Sequence, residues 1–431
     1  MNFLHWLANS KPLKTNLSGW ICFQIGLLFL ASSAFISGIF FVIAVVLGSR
    51  KRFNLCLKDK WNYPLLIASF LMLAGSVRAF SGWLAWVGLA NWLPFFWCFW
   101  AFQPYVLTAV ARRRCALLLL VGTIPVVFSG IGQLWFGLEG PWQFLNGLII
   151  WFIEPGGQPT GRLSGLFNYA NIAGAWLALV WPIALATLVQ PSMNWTKRSA
   201  AFLVLLFIAI SLVLTNSRNA WASMFLSMPF VLGTATWFWV LPLMALSLFP
   251  VLLSVLPFVP TEIQFIARKI VPEGLWSRLT DLQFATDRPI EATRIFQWKD
   301  AIALFYQKPW FGYGAAAFSV LYPLRQGIWH GHAHNLPLEL TVAHGLPVAI
   351  LLVCMILLLL IISFRCCFFK QHTFGINLFD RAWWASTFTL IFIHGADIPM
   401  FDSRINLAGW IFLSGLRCLI ASKESERVLD V

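Results

Sequence analysis

Charged residues are scarce in this chain: only 11% of its 431 residues are Asp, Glu, Lys or Arg, against about 25% in an ordinary soluble domain. Hydrophobic residues make up 59% of it, above the roughly 45–50% apolar usage of soluble proteins. That balance excludes a soluble enzyme and a disordered tail. A disulfide-stapled secreted scaffold is excluded too. The eight cysteines fall in apolar stretches or beside basic runs, and the one long polar segment, residues 257–335, holds none. A signal-peptide cleavage pattern, an internal repeat and a low-complexity tract are also missing. The first apolar run starts near Gly19 and continues far past a signal-peptide h-region, so it is expected to remain as a membrane span.

What is present is hydrophobicity spread along the whole chain, with a mean hydropathy of +0.77. The fold class expected is all-α, a polytopic membrane bundle of about 12 transmembrane helices, since a span needs roughly 20 apolar residues. The stretch 19–48 is too long for one upright helix and is basic at both ends, with Lys11 and Lys14 before it and Arg50 to Arg52 after it. It is read as a hairpin of short spans. The other spans are expected near 63–80, 83–108, 115–137, 169–190, 199–215, 219–233, 235–257, 336–364, 382–400 and 404–421.

The net charge of +14, from 30 basic and 16 acidic residues, does not point to nucleic acid, because the densest basic runs flank hydrophobic spans. Lys and Arg accumulate in cytoplasmic loops. With both termini in the cytoplasm, Arg112 to Arg114, Lys197, Arg198, Arg365 and Arg381 all fall inside. Residues 257–335 then fall outside, as one large loop within a single integral membrane domain covering residues 1–431. A loop of that length is usually functional, and its composition suggests short helices at 262–271 and 290–306.

Ionisable groups near the hydrocarbon boundary are costly unless paired or solvated. Outside the long loop, the external side has few cations: Arg78, Arg162, Arg218 and Arg404. Taken singly, each can pair with a structural carboxylate or snorkel to head groups. Several converging at one face would make a site for a multiply charged phosphate, because the guanidinium fork matches phosphate oxygens. Arg294 in the loop joins this set. No P-loop, DxD or acidic metal cluster accompanies these arginines, so neutralisation of charge would fall to them and no cofactor or metal is expected.

The second cluster is Trp329-His330-Gly331-His332-Ala333-His334-Asn335, followed by His344. Histidine serves most often as general base near neutral pH, and these residues stand where the loop re-enters the membrane. The residues alone leave His330, His332 and His334 as alternatives. A zinc site on His-x-His-x-His is the rival reading, without an HExxH pattern to support it. Asp397, Asp402 and Arg404 are read as an ion pair fixing the turn between the last two spans. Glu339 is read as orienting a neighbour or serving as a base.

The segments Gly161-Arg162-Leu163-Ser164-Gly165-Leu166-Phe167-Asn168 with Asn171, Ser217-Arg218-Asn219-Ala220-Trp221, Arg294 to Trp298, Pro309-Trp310-Phe311-Gly312-Tyr313-Gly314 and His332-Ala333-His334-Asn335 occur in that order. In this they resemble the O-antigen ligase and O-antigen polymerase superfamily of bacterial membrane glycosyltransferases, in a cyanobacterial-like form. One departure is Val348, which fills the position where the ligase motif places Gly, Thr or Tyr. The resemblance implies a type C glycosyltransferase bundle in the inner membrane, with residues 257–335 as a periplasmic loop. It implies a metal-independent inverting enzyme that takes its glycan from undecaprenyl pyrophosphate and passes it to lipid A–core or another glycan acceptor. By motif, Arg218, Arg294 and His334 carry over as catalytic residues. Arg162, Asn168, Asn171, His332 and Asn335 carry over as substrate-binding residues. The rival readings are a polymerase of the same superfamily, an inorganic-carbon transporter and a non-catalytic scaffold in polysaccharide assembly. Against the transporter stand polar residues gathered at one face instead of at the midplane.

Overall fold

The computed structural model describes residues 11–12, 15–50, 52–191, 193–280, 289–369 and 378–429. Lys14, Lys51 and positions 281–288 of the long loop lie outside the described residues. The protein is a polytopic all-α membrane protein. Among the described residues seven helices are long and apolar enough to cross a bilayer: Trp83–Ala101, Ala109–Trp135, Ala170–Val189, Trp195–Leu214, Thr234–Val255, Leu346–Phe368 and Ser403–Ala421. Shorter helices at Leu17–Phe29, Ala34–Ser49, Tyr63–Ser76, Arg218–Leu232 and Leu378–His394 occupy the remaining positions expected of spans.

Local chemistry explains where these helices begin and end. The first hairpin turns at Ala31-Ser32-Ser33, where the Ser33 hydroxyl accepts the Ile36 N–H at 3.2 Å and caps the second helix. The Ala109–Gly122 helix starts earlier than the hydropathy suggests, because Thr108 accepts the Ala111 N–H at 3.2 Å. Arg112 to Arg114 therefore belong to a helix rather than to a loop. Arg112 is buried, forms a two-pronged pair with Asp380 at 2.7 and 3.0 Å, and also donates to the Val106 and Leu107 carbonyls. The expected span 336–364 is two helices, Leu336–His344 and Leu346–Phe368, separated at Gly345.

The Ala170–Val189 helix is the hub, buried along most of its length and packed against Trp195–Leu214, Arg218–Leu232 and Leu378–His394. Small residues let its neighbours come close. A Cβ on Gly174 would stand 3.0–3.1 Å from Thr215, Ser217 and Ala220, so this glycine brings the turn that carries Arg218 against the hub. At the periphery the reverse holds. In the Trp237–Val255 helix only Ser254 is buried, while Phe238 and Trp239 are 76% and 70% exposed. An apolar surface on every side is stable only against lipid.

Within 257–335 lie the helices Thr261–Ile270, Glu273–Leu279, Arg294–Gln307 and Ala317–Gln326. This segment has a small core of its own, in which Leu304, Phe318, Leu321 and Tyr322 pack with Ala333 and Val342. Ala333 lies within the histidine cluster and Val342 on the helix that follows it, so the cluster rests on a packed platform. Another departure from expectation is a two-stranded hairpin that pairs Trp142–Phe144 with Ile149–Trp151. Its turn includes Leu145, Asn146 and Gly147, all at positive φ.

Candidate active site between the long loop and the last two helices

The Leu336–His344 helix opens at Asn335, whose side-chain oxygen accepts the Leu338 N–H at 3.0 Å. The Asn335 amide also donates to the Gly395 carbonyl at 2.8 Å. One residue thus starts the helix and ties it to the segment joining the last two spans. Glu339, one turn on, accepts the Ala333 N–H at 2.9 Å, so it orients the histidine turn through the backbone. His334 sits in that turn with φ 51, a left-handed conformation uncommon outside glycine.

The Pro309–Gly314 segment meets the end of the Leu336–His344 helix and Gly345 behind this turn. Tyr313 and Gly314 donate their N–H groups to the Val342 and Ala343 carbonyls at 2.8 Å each, and Leu346 N–H donates to the Pro309 carbonyl at 2.7 Å. Gly345 adopts φ 83, ψ 169, and a Cβ there would lie 2.1 Å from the Trp310 carbonyl oxygen. Only glycine allows that approach.

These contacts aim His334 at Asp397. His334 Nδ1 lies 3.0 Å from Asp397 Oδ1, and Arg294 Nη2 donates to Asp397 Oδ2 at 3.3 Å. Asn171 donates to the same Oδ2 at 3.2 Å, and its own side-chain oxygen accepts from Arg162 Nη2 at 2.6 Å. Arg162, Asn171, Asp397, Arg294 and His334, drawn from four separate stretches of chain, form one connected polar network.

Arg218 stands further along. Arg162 Nε donates to the Thr215 carbonyl at 2.8 Å and Arg278 Nε to the Asn216 carbonyl at 3.3 Å. Both cations therefore meet the carbonyl end of the Trp195–Leu214 helix, which favours positive charge. Arg218 Nη1 reaches the Arg278 carbonyl at 3.5 Å. The structure thus joins Arg218 to this group through the Arg278 carbonyl. Asn168 is exposed and takes no part in these contacts.

The electrostatics follow from the packing. Burial raises the Asp397 carboxyl, but the His334 hydrogen bond and the charges of His334 and Arg294 outweigh it and hold Asp397 well below the usual carboxylate range. Burial, with the His334 and Arg294 charges, pushes His332 down to about 3 despite Asp397. A neutral His332 suits its observed role, since its Nδ1 accepts the His334 N–H at 3.2 Å. His332 also packs on His334 and Phe401, with ring centroids 4.3 and 5.5 Å apart.

His332, His334 and Asp397 each bring one potential ligand atom within 4.8 Å of the others, a donor set that suits a divalent ion such as zinc. Arg294 already places a cation on the same carboxylate, which opposes a second one there.

Sequence reasoning missed two participants. Asp397 was expected to fix a turn with Arg404. In the structure Arg404 pairs with Asp402, Nε to Oδ1 at 2.9 Å, while Asp397 turns to the site. The sequence signal for Asp397 is an acid in a short, mostly apolar connection that it shares with Asp402. Arg278 had no signal beyond being one cation among several in the loop.

Residues 202–353 match the family model described as O-antigen ligase. The match takes in Arg218, Arg294, His334 and Asn335, and it bears out the resemblance to the O-antigen ligase and polymerase superfamily, whose members are glycosyltransferase-like membrane enzymes. Comparison with curated proteins gives no match.

Proposed function

We propose that this protein is an O-antigen ligase-like glycosyltransferase. It would move a glycan from undecaprenyl pyrophosphate to an acceptor hydroxyl, with lipid A–core the favoured acceptor, at the periplasmic face of the bacterial inner membrane. The observation that carries the reading is Asp397 bridging His334 and Arg294. With Asp397 at Nδ1, the imidazole is oriented so that Nε2 can take a proton, the arrangement by which a carboxylate sets a general base.

In this reaction the acceptor oxygen attacks the anomeric carbon as the bond to the pyrophosphate oxygen breaks. The acceptor proton passes to His334 Nε2, and undecaprenyl pyrophosphate leaves with the electron pair. Attack opposite the leaving group inverts the anomeric centre. Arg294, Arg218 and Arg162 supply the positive field that stabilises the departing diphosphate, a term of several kcal/mol when donors are preorganised, on the order of 10²–10³ in rate for one donor. No step requires a metal ion.

The test is complementation of a deletion strain, read as lipopolysaccharide banding. Restoration of the high-mass ladder by the wild type, with failure by Arg294→Ala and His334→Ala at equal membrane abundance, supports ligase chemistry. Core carrying a single repeat in the deletion strain would make the protein a polymerase. An unchanged banding profile in that strain would overturn both.

A further inference from the structure

The opposite end of the bundle carries a second basic site. Asn16 starts the Leu17–Phe29 helix and Arg50 follows the end of the Ala34–Ser49 helix. Both lie at the far end of the hairpin from the Ala31–Ser33 turn. That turn receives Arg404 Nη1 on the Ala31 carbonyl at 3.4 Å and so shares an end with the Asp397 segment. Helices of this length separate the two ends by roughly 20 Å.

Between the hairpin ends lies a cavity of about 480 Å³, lined by Thr15, Asn16, Gly48, Arg50, Arg52 and Tyr105 among others. Among the described residues no carboxylate lines it. The nearest acid in sequence, Asp59, is taken by Arg417 at 3.0 Å. Among the described residues neither Arg50 nor Arg52 has an ion pair, although Arg52 is half-buried. A helix start at Asn16 and a helix end at Ser49 meet here, so their opposed dipoles largely cancel. The arginines therefore set the sign of the field. A half-buried guanidinium without a counter-ion is costly, and a bound anion would remove that cost.

Two features give the depth and nature of the anion. Trp97, 44% exposed, donates its indole N–H to Ser49 Oγ at 2.7 Å, next to Arg50. Exposed tryptophans of this kind mark the head-group level. Below it, Ile39, Val42, Ile43 and Val46 form one exposed stripe at helical spacing along the same helix, 40–63% exposed. A phosphate held between the arginines would leave its hydrocarbon chains lying along that stripe.

We propose that Arg50 and Arg52 form a binding site for the phosphate of an anionic phospholipid at the cytoplasmic end of the bundle. The site is separate from the Arg294–Asp397–His334 network and does not depend on the transfer reaction.

The experiment uses the full chain in nanodiscs, with phosphatidylglycerol titrated into phosphatidylcholine and bound lipid counted by native mass spectrometry after release. The wild type should retain one more phosphatidylglycerol than the Arg50→Gln/Arg52→Gln variant. Apparent affinity in that variant should fall by about 25-fold, taking roughly fivefold for each cation near the surface. Lys197→Gln removes an exposed charge outside the cavity and should leave the count unchanged. Equal retention by the double variant overturns the site, and a loss of the same size in Lys197→Gln reduces it to general surface charge. Inorganic phosphate alone supplies the other source of the anion. If it displaces phosphatidylglycerol at millimolar concentration, the lipid assignment fails and the site is one for soluble phosphate. Retained thermal melting in pure phosphatidylcholine shows that the double variant is folded, and each single variant repeats the test where it is not.

Discussion

Asp397 Oδ1 meets His334 Nδ1 at 3.0 Å across 63 residues of sequence. The histidine comes from the edge of the long loop and the carboxylate from the connection between the last two helices, so the contact exists only in the folded bundle. It fixes which imidazole nitrogen is left to act, and the predictions begin from it.

Asp397→Asn should keep the side-chain shape but lose the charge that orients and stabilises the imidazolium. Transfer should fall by about 100-fold or more, with abundance in the membrane unchanged, as measured by glycan transfer in isolated membranes. Activity within a factor of a few of wild type would remove Asp397 from the chemistry.

Arg294→Lys keeps one positive charge but loses the planar fork. A lysine at this position should restore only part of the activity lost in Arg294→Ala, which is expected at about 10²–10³-fold. Full activity in the lysine variant would show that charge alone suffices.

Gly345→Ala should act on stability rather than on chemistry. Its φ of 83 and a Cβ 2.1 Å from the Trp310 carbonyl leave no room for a methyl group. The strain is of order 1–3 kcal/mol before the clash is counted, and thermal melting in nanodiscs should drop by several degrees.

His332, held down to about 3, gives a pH signature. Its folded form binds fewer protons than an unfolded histidine near 6.5, so stability rises with pH between those values and falls as the medium is acidified below about 6.5. The loss at pH 5 is up to about 2 kcal/mol. His332→Gln lacks this group, and its melting temperature should fall less than that of the wild type between pH 7 and pH 5.

Chelation distinguishes the two uses of the His332, His334 and Asp397 cluster. Transfer by purified protein should be unaffected by millimolar EDTA. A loss restored by added zinc would turn the cluster into a metal centre.

Much of this architecture was legible because the bilayer enforces it. The spans and the hairpin over residues 19–48 follow from hydropathy alone. The arginines and the histidine cluster stood out because ionisable groups at a membrane face need a reason to be there. The Trp142–Trp151 hairpin was missed, although Asn146-Gly147 between aromatic and β-branched residues is a turn signal. The break at Gly345 was missed although Gly345 and Pro347, just after His344, are helix-breaking signals; the hydropathy on either side carried the reading across them. Asp397 could not be paired from sequence, since Arg404 and Asp402 are nearer to it in the chain and only tertiary packing delivers His334 instead. Arg218 marks the converse: its charge was easy to notice, while its route through the Arg278 carbonyl depends on how the loop lies across the helix ends.

The Trp237–Val255 helix, with one buried residue, leads directly into the amphipathic Thr261–Ile270 helix at the start of the loop. With so little protein around it, its place is held by the acyl chains beside it, and segments with few buried contacts open at least cost. A change in the thickness or fluidity of the surrounding membrane is therefore expected to be felt at the start of the loop that supplies Arg294. Detergent extraction would remove that support first, so turnover should be assayed in a bilayer.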